Sequence, residues 1–190
     1  LLDQLPEGIA RDRIELRLHL LLAARLIATQ GYGAPDVERV YARAQTLCRR
    51  MGDEEALMKV QLGLEGYHFM RADFDKADAI AQETHDLADR SRDPMRKVQA
   101  AWAVANVLFH RGEVREAVRH MDACLHAYDL IAHRPSAVQD PGVMCLCYSA
   151  WGQWELGFPD DALRRAQRVV ALSEQLDHRF SMGEAWGFTT

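Results

Sequence analysis

A few groupings in this sequence hold residue types that could do chemistry. Cys145 and Cys147 are the kind of residues that hold a soft metal ion. On a helix, residues two apart point about 200° away from each other, so they cannot share one ion. Buried small hydrophobes are the better reading. His120 and Cys124 stand one helical turn apart and could chelate weakly. Cys124 falls on an apolar stripe, however, and no second pair of ligands accompanies it. Asp73-x-Asp75 has the opening of a calcium loop without the Gly and final Glu such a loop needs. Capping a helix that begins at Phe74 accounts for both acids. The segment GYGAP, 31–35, precedes a helix and could meet an anion at its N-terminus. There is no G-x-x-x-x-G-K-[ST] phosphate loop, and a turn between paired helices is the preferred reading of GYGAP. No metal and no cofactor is expected. Nor does any nucleophile, base and oxyanion cluster present itself, so no catalytic residue is assigned.

The elements that would position these residues follow from a repeat. MRADFDKAD, HRGEVREAV and ELGFPDDAL are three versions of one helix start. Val40, Ala77, Ala117 and Ala162 anchor four copies, spaced 37, 40 and 45 residues apart. Counting −3, 0, +1, +4, +7, +8 and +11 from each anchor traces the buried stripe of an amphipathic helix. The first copy reads Val37, Val40, Tyr41, Ala44, Leu47, Cys48 and Met51. The third reads Val114, Ala117, Val118, Met121, Cys124, Leu125 and Tyr128. The fourth reads Pro159, Ala162, Leu163, Ala166, Val169, Val170 and Ser173. The second is weaker, with Phe74, Ala77, Asp78, Ala81, Thr84, His85 and Ala88.

A partner helix precedes each copy, near residues 14–30, 54–71, 94–111 and 141–156, and a fifth begins near Arg179. Asp53, Asp93 and Asp140 stand at the starts as N-caps, two of them before a proline suited to the first helical position. Gly112 and Gly157 mark turns between paired helices. No strand alternation of useful length occurs. The expected fold is all-α, an α-solenoid of antiparallel helix pairs, four pairs and the start of a fifth. A single array over 1–190 is expected, with repeats near 9–52, 53–92, 93–139, 140–177 and a partial 178–190.

The tetratricopeptide pattern fits this array best. Its small residue at the close helix crossing falls on Ala105 and Ala150, and its second-helix alanine on Ala77, Ala117 and Ala162. The spacings exceed the usual 34 residues, notably through a longer connection at 133–140. Glu65 takes the small position in the second repeat, where Gly63 or Gly66 is expected to make the contact instead. Within that repeat Glu65, His68, Asp78, Thr84 and His85 replace apolar residues of the neighbours. One reading is a polar pocket with a perturbed histidine. The preferred one is a rotated helix that buries Ile80 and Leu87 and leaves Asp78 and His85 in water, because charges are rarely buried unpaired.

The segments ARLIATQGYGAPDVERVYARAQTLCRRMGD and GEVREAVRHMDACLHAYD resemble the tetratricopeptide region of large bacterial signalling proteins. In that family a class III nucleotide cyclase, or sometimes a kinase or DNA-binding domain, is followed by a P-loop signal-transduction ATPase and then by the helical array. The resemblance implies a regulatory or scaffolding segment and transfers no catalytic residue.

Composition narrows the function further. The 190 residues are 48% hydrophobic and 27% charged, and the net charge of −5 offers no footprint for nucleic acid or anionic lipid. The four cysteines are too few for a disulfide scaffold, so a reducing cytoplasm is expected. The most apolar run, 18–28, is too short to span a bilayer and contains Arg25. The chain opens on Leu1, as expected of a piece of something longer.

In tetratricopeptide arrays the first helix of each pair lines the concave groove. The register places Leu62, Phe69 and Met70 there, then Trp102, Asn106, Phe109 and His110, then Cys147, Trp151, Trp154 and Glu155. Phe69, Trp102, Asn106, Phe109, His110, Trp151, Trp154 and Glu155 are the candidate binding residues, since aromatic side chains on a groove are typical anchors. Inter-repeat core is the competing reading for each. The expected function is protein–protein interaction or intramolecular regulation, with a small-molecule sensor as the alternative. The partner is another protein or an adjacent domain. Phe180, Trp186 or Phe188 is expected to be poorly covered at the C-terminal end and to favour self-association.

Overall fold

The computed structural model describes residues 6–129 and 140–189. Nine helices occur among them: α1 (Ile9–Gln30), α2 (Pro35–Met51), α3 (Glu54–Met70), α4 (Phe74–Asp89), α5 (Pro94–His110), α6 (Val114–Asp129), α7 (Pro141–Glu155), α8 (Pro159–Leu176) and α9 (Arg179–Thr189). Most of the connection expected at 133–140 lies outside the described residues. No described helix is long and apolar enough to cross a membrane.

Local chemistry sets the helix ends. The Asp53 carboxylate accepts from the Ala56 amide at 2.9 Å, Asp93 from Met95 at 2.9 Å, and Asp140 from Gly142 and Val143 at 3.0 and 3.1 Å. Each bond satisfies an orphan donor of the first helical turn. Gly112 and Gly157 turn the chain with φ of 83° and 87°. The matching turn after α3 uses Ala72 at φ 57°, a left-handed conformation that costs an L-residue energy.

The chain divides into two compact units, Leu1–Leu87 and Ala88–Thr190. The first holds α1, α2, α3 and all but the last residues of α4. Its core gathers Leu16, Ala44, Leu47, Cys48, Val60 and Leu64, with Tyr41 and Ile80 packed against them. The α2 stripe is buried as its register requires: Val37, Ala44 and Leu47 are fully enclosed. At Gly63 a Cβ would stand 2.3 Å from the Tyr41 ring, so this glycine makes the close helix crossing in place of Glu65.

α1 departs from expectation at its start. It starts at Ile9 rather than near 14, because its first turns are polar and are held by distant partners. Asp12 is 5% exposed and pairs with Arg50, and Glu15 accepts from Arg43 Nε at 2.6 Å. The helix is therefore inverted. Its carboxylates face inward with Leu16 and Ala23, while Ile14, Leu18, Leu21 and Leu22 are exposed.

α4 is not rotated. Ala77, Ala81, Thr84 and Ala88 are buried in the register of the other copies, and Leu87 is buried beside them. The Thr84 hydroxyl donates to the Ile80 carbonyl at 2.7 Å, which satisfies it without a pocket. Asp78 and His85 are consequently half-buried, not in water, and Ile80 is half-buried too.

In the second unit α7 is the central helix, packed against α5, α6, α8 and α9. Pro141 to Cys147 are all buried, as are Ser149, Ala150 and Gly152. PGVMCLCYSAWGQWE carries no charge before Glu155, so it can be surrounded without unpaired charges. Gly152 lets α7 approach α6, where a Cβ would meet Val118 at 2.5 Å. The α6 stripe is buried from Ala117 to Tyr128, with Val114 half-buried at its start. The α8 stripe is narrower than its register. Leu163 is 60% exposed and Pro159 is exposed, because α8 is covered only along Ala162, Val169 and Ser173.

Candidate interaction surface

The second unit assembles an aromatic face from three helices. α5 contributes Trp102, Phe109 and His110; α7 contributes Tyr148 and Trp151; α9 contributes Phe188. Tyr148 stands at the hub, a residue the sequence register did not single out. Its ring centre lies 5.4 Å from Trp102, 5.2 Å from Phe109, 5.4 Å from His110, 5.6 Å from Trp151 and 5.2 Å from Phe188. These are tilted and edge-on contacts of the kind aromatic quadrupoles favour. The signal in the sequence was its position three residues before Trp151, on the same helix face.

Trp151 is 43% exposed yet tied down. Its ring stacks on Phe188 at 4.3 Å, and its indole N–H donates to the Phe188 carbonyl at 3.3 Å. Trp154, at 68% exposed, projects freely beside Glu155, which is exposed as well. His110 is exposed and its Nδ1 meets the Asn106 carbonyl at 2.9 Å, while Trp102, Asn106 and Phe109 are half-buried. Phe69, in the first unit, is half-buried and sits edge-on to Phe74 at 5.8 Å, bridging α3 to α4. Of the three C-terminal aromatics, Phe180 and Trp186 are exposed, whereas Phe188 is half-buried because Trp151 and Tyr148 cover it.

Cys145 and Cys147 are not poised for nucleophilic chemistry. Burial, with Glu184 nearby, pushes Cys147 up to about 12, and burial beside Cys124 holds Cys145 well above the ordinary thiol range. Cys145 Sγ donates to Cys124 Sγ at 3.0 Å, a pairing that the short spacings of the sequence hid. His120 meets Glu116 at 3.7 Å. Among the described residues no three His, Cys, Asp or Glu side chains gather as metal ligands.

A polar group is buried on α3. Gln61 is fully enclosed, with both amide atoms lacking hydrogen-bond partners, and one oxygen of Glu65 is likewise without one. Burial pushes the Glu65 carboxyl up to about 8, since nothing nearby compensates its charge. His68 is buried with Nδ1 3.4 Å from Asp73.

No protein-family model and no curated protein sequence matches this chain. Solved structures do. The apo form of RapI superposes with a TM-score of 0.79 at 10% identity, covering 93% of this chain and 60% of RapI. A signal transduction ATPase with numerous domains (STAND) from Pyrococcus horikoshii, with a tetratricopeptide repeat sensor, gives 0.72 at 12% identity, covering 98% of this chain but 27% of that one. Nearly identical TPR-like repeats from Podosopora anserina give 0.66 at 13% identity, covering 96% of this chain and 89% of theirs. The chain thus spans less than two thirds of the first protein and about a quarter of the second. At these identities the likeness carries the architecture: an all-α array of tetratricopeptide-like helix pairs.

Proposed function

We propose that this segment is a non-catalytic interaction or intramolecular regulatory module, acting as one array over 1–190 in repeats near 9–52, 53–92, 93–139, 140–177 and 178–190. In this reading it serves a cytoplasmic bacterial signalling protein of the ATPase or nucleotide-cyclase type. The likeness to the repeats of a STAND protein supports the ATPase context. The aromatic face of α5, α7 and α9, with Trp154 three residues beyond Trp151 on α7, is the binding surface, and the carrying observation is Trp154 itself, a large apolar side chain 68% exposed. An interface anchor has this character: a free ring on a rigid support. Phe180 and Trp186 extend the proposal to self-association at the C-terminal end.

The test is Trp154→Ala. A partner is first identified by capture from the native host, and its affinity is then measured for both proteins. The reading expects about 2 kcal/mol or more of lost binding, with an unchanged denaturation midpoint. Equal affinities would remove Trp154 and its face from the interaction.

A small-molecule sensor is the second reading, and the unsatisfied Gln61 and Glu65 atoms favour it. It expects a polar metabolite to raise the melting temperature of the protein and Gln61→Leu to abolish that rise. A metabolite panel without any such response removes the sensor.

A further inference from the structure

The outer face of α1 is organised as two parallel rows. Ile14, Leu18 and Leu22 form an apolar row at four-residue spacing, and they are 44%, 49% and 46% exposed. Beside it run Arg13, Arg17, Leu21 and Arg25, at the same spacing and all exposed. Rows of this kind are the ridges by which helices pack against one another.

The charge on this face is unbalanced. The two carboxylates of α1, Asp12 and Glu15, are turned to the opposite side and consumed by Arg50 and Arg43. Arg13, Arg17 and Arg25 make no ion pair among the described residues. Arg39 closes on Asp36 at 3.0 Å, Arg49 on Glu83 at 3.0 Å and Arg96 on Asp93 at 3.3 Å. The exposed Arg92, Arg115 and Arg179, also without an ion pair among the described residues, stand singly on separate elements rather than in a row. In a chain of net charge −5, three unpaired arginines beside an exposed apolar row mark a face built for an anionic, apolar complement.

We propose that α1 docks an acidic amphipathic helix of a separate protein, with leucine-like side chains against Ile14, Leu18 and Leu22 and carboxylates against the arginine row. The rows run from Arg13 to Arg25, about three turns or roughly 18 Å of helix. Neither α1 nor α4 of a second copy supplies the complement. Pairing α1 with itself sets arginine against arginine. The exposed carboxylates of α4 (Asp75, Glu83, Asp86, Asp89) have no large exposed apolar side chain beside them. A bilayer is disfavoured because Arg25 lies within the angular span of the apolar row, so immersing that row would immerse the charge. This surface lies on the first unit, and it stands or falls separately from the aromatic face.

The experiment uses the full chain and two 21-residue helical peptides as probes. Both carry leucine at the a and d positions of each heptad; one has glutamate at e and g, the other lysine. The glutamate peptide is expected to bind at least tenfold tighter, with the difference shrinking at high salt. Arg17→Glu combined with Arg25→Glu should invert the preference toward the lysine peptide. Leu18→Asp should abolish binding of both while leaving the thermal melt unchanged, since Leu18 is already half exposed to water. Equal binding of the two peptides, or no inversion in the charge-reversed protein, overturns the proposal. So does binding to phosphatidylglycerol vesicles in place of the glutamate peptide, or a dimer in sedimentation that Leu18→Asp dissolves.

Discussion

Replacing Glu65 by Gln should make the first unit more stable at neutral pH and remove a pH dependence that the wild type carries. Glu65 is 8% exposed, and burial raises its carboxyl from 4.5 to about 8. In the unfolded chain it titrates near the lower value; in the folded protein it holds its proton to the higher one. Between those limits the native state binds more protons than the unfolded state, so stability falls as pH rises. The contribution is intact below the unfolded value and is lost progressively toward pH 8. Each full pH step in the window is worth at most about 1.4 kcal/mol. At pH 7 the cost is therefore about 3 kcal/mol, and near pH 8 it approaches about 5 kcal/mol. An amide of nearly the same shape carries no proton to give up, although its own unpaired donors return about 1–3 kcal/mol of cost. The slope is thus a cleaner readout than the absolute gain. Glu15 and Asp73, whose carboxyls are lowered chiefly by hydrogen bonds from Arg43 and Lys76, lose their contributions only as pH falls through the acid range. Urea melts at pH 5.5, 7 and 8, followed by far-UV circular dichroism, isolate the window. All four tryptophans (Trp102, Trp151, Trp154 and Trp186) lie beyond Ala88, so their fluorescence reports the second unit separately. Identical slopes for wild type and Glu65→Gln across this window would refute the assignment of a neutral buried carboxyl.

Two further substitutions probe the backbone. Gly63→Ala drives a methyl into the Tyr41 ring, and the overpacking cost of about 1–3 kcal/mol should outweigh the gain of about 1 kcal/mol in helix propensity. A lowered urea midpoint for the first unit is expected, and an unchanged or raised one would show that α2 and α3 can part without cost. Ala72→Gly relieves the left-handed turn at φ 57° and should stabilise by about 0.5–1 kcal/mol, because glycine adopts that conformation freely but loses more chain entropy on folding. A destabilised variant would show that the turn stores no strain.

The sequence by itself determined the helices. Their apolar period, the Asp caps at 53, 93 and 140, the prolines at first positions and the glycines at turns are all local properties of the backbone. They placed most boundaries within a residue or two, and α2 and α6 buried the residues their register named, with Tyr41, Met51 and Val114 half-buried. What tertiary structure decided is which side of each helix faces inward when pattern and partner disagree. α1 is rich in leucine, yet it buries Asp12 and Glu15 because Arg50 and Arg43, 38 and 28 residues away, reach across to neutralise them. The same holds for the aromatic hub: Tyr148 draws rings from α5 and α9 that no spacing in the chain connects. Trp151 met Phe188, and Cys124 met Cys145, across separations of 37 and 21 residues. Helix propensity is settled within a few turns of chain, whereas the desolvation of a charge or a ring depends on atoms that only folding brings near.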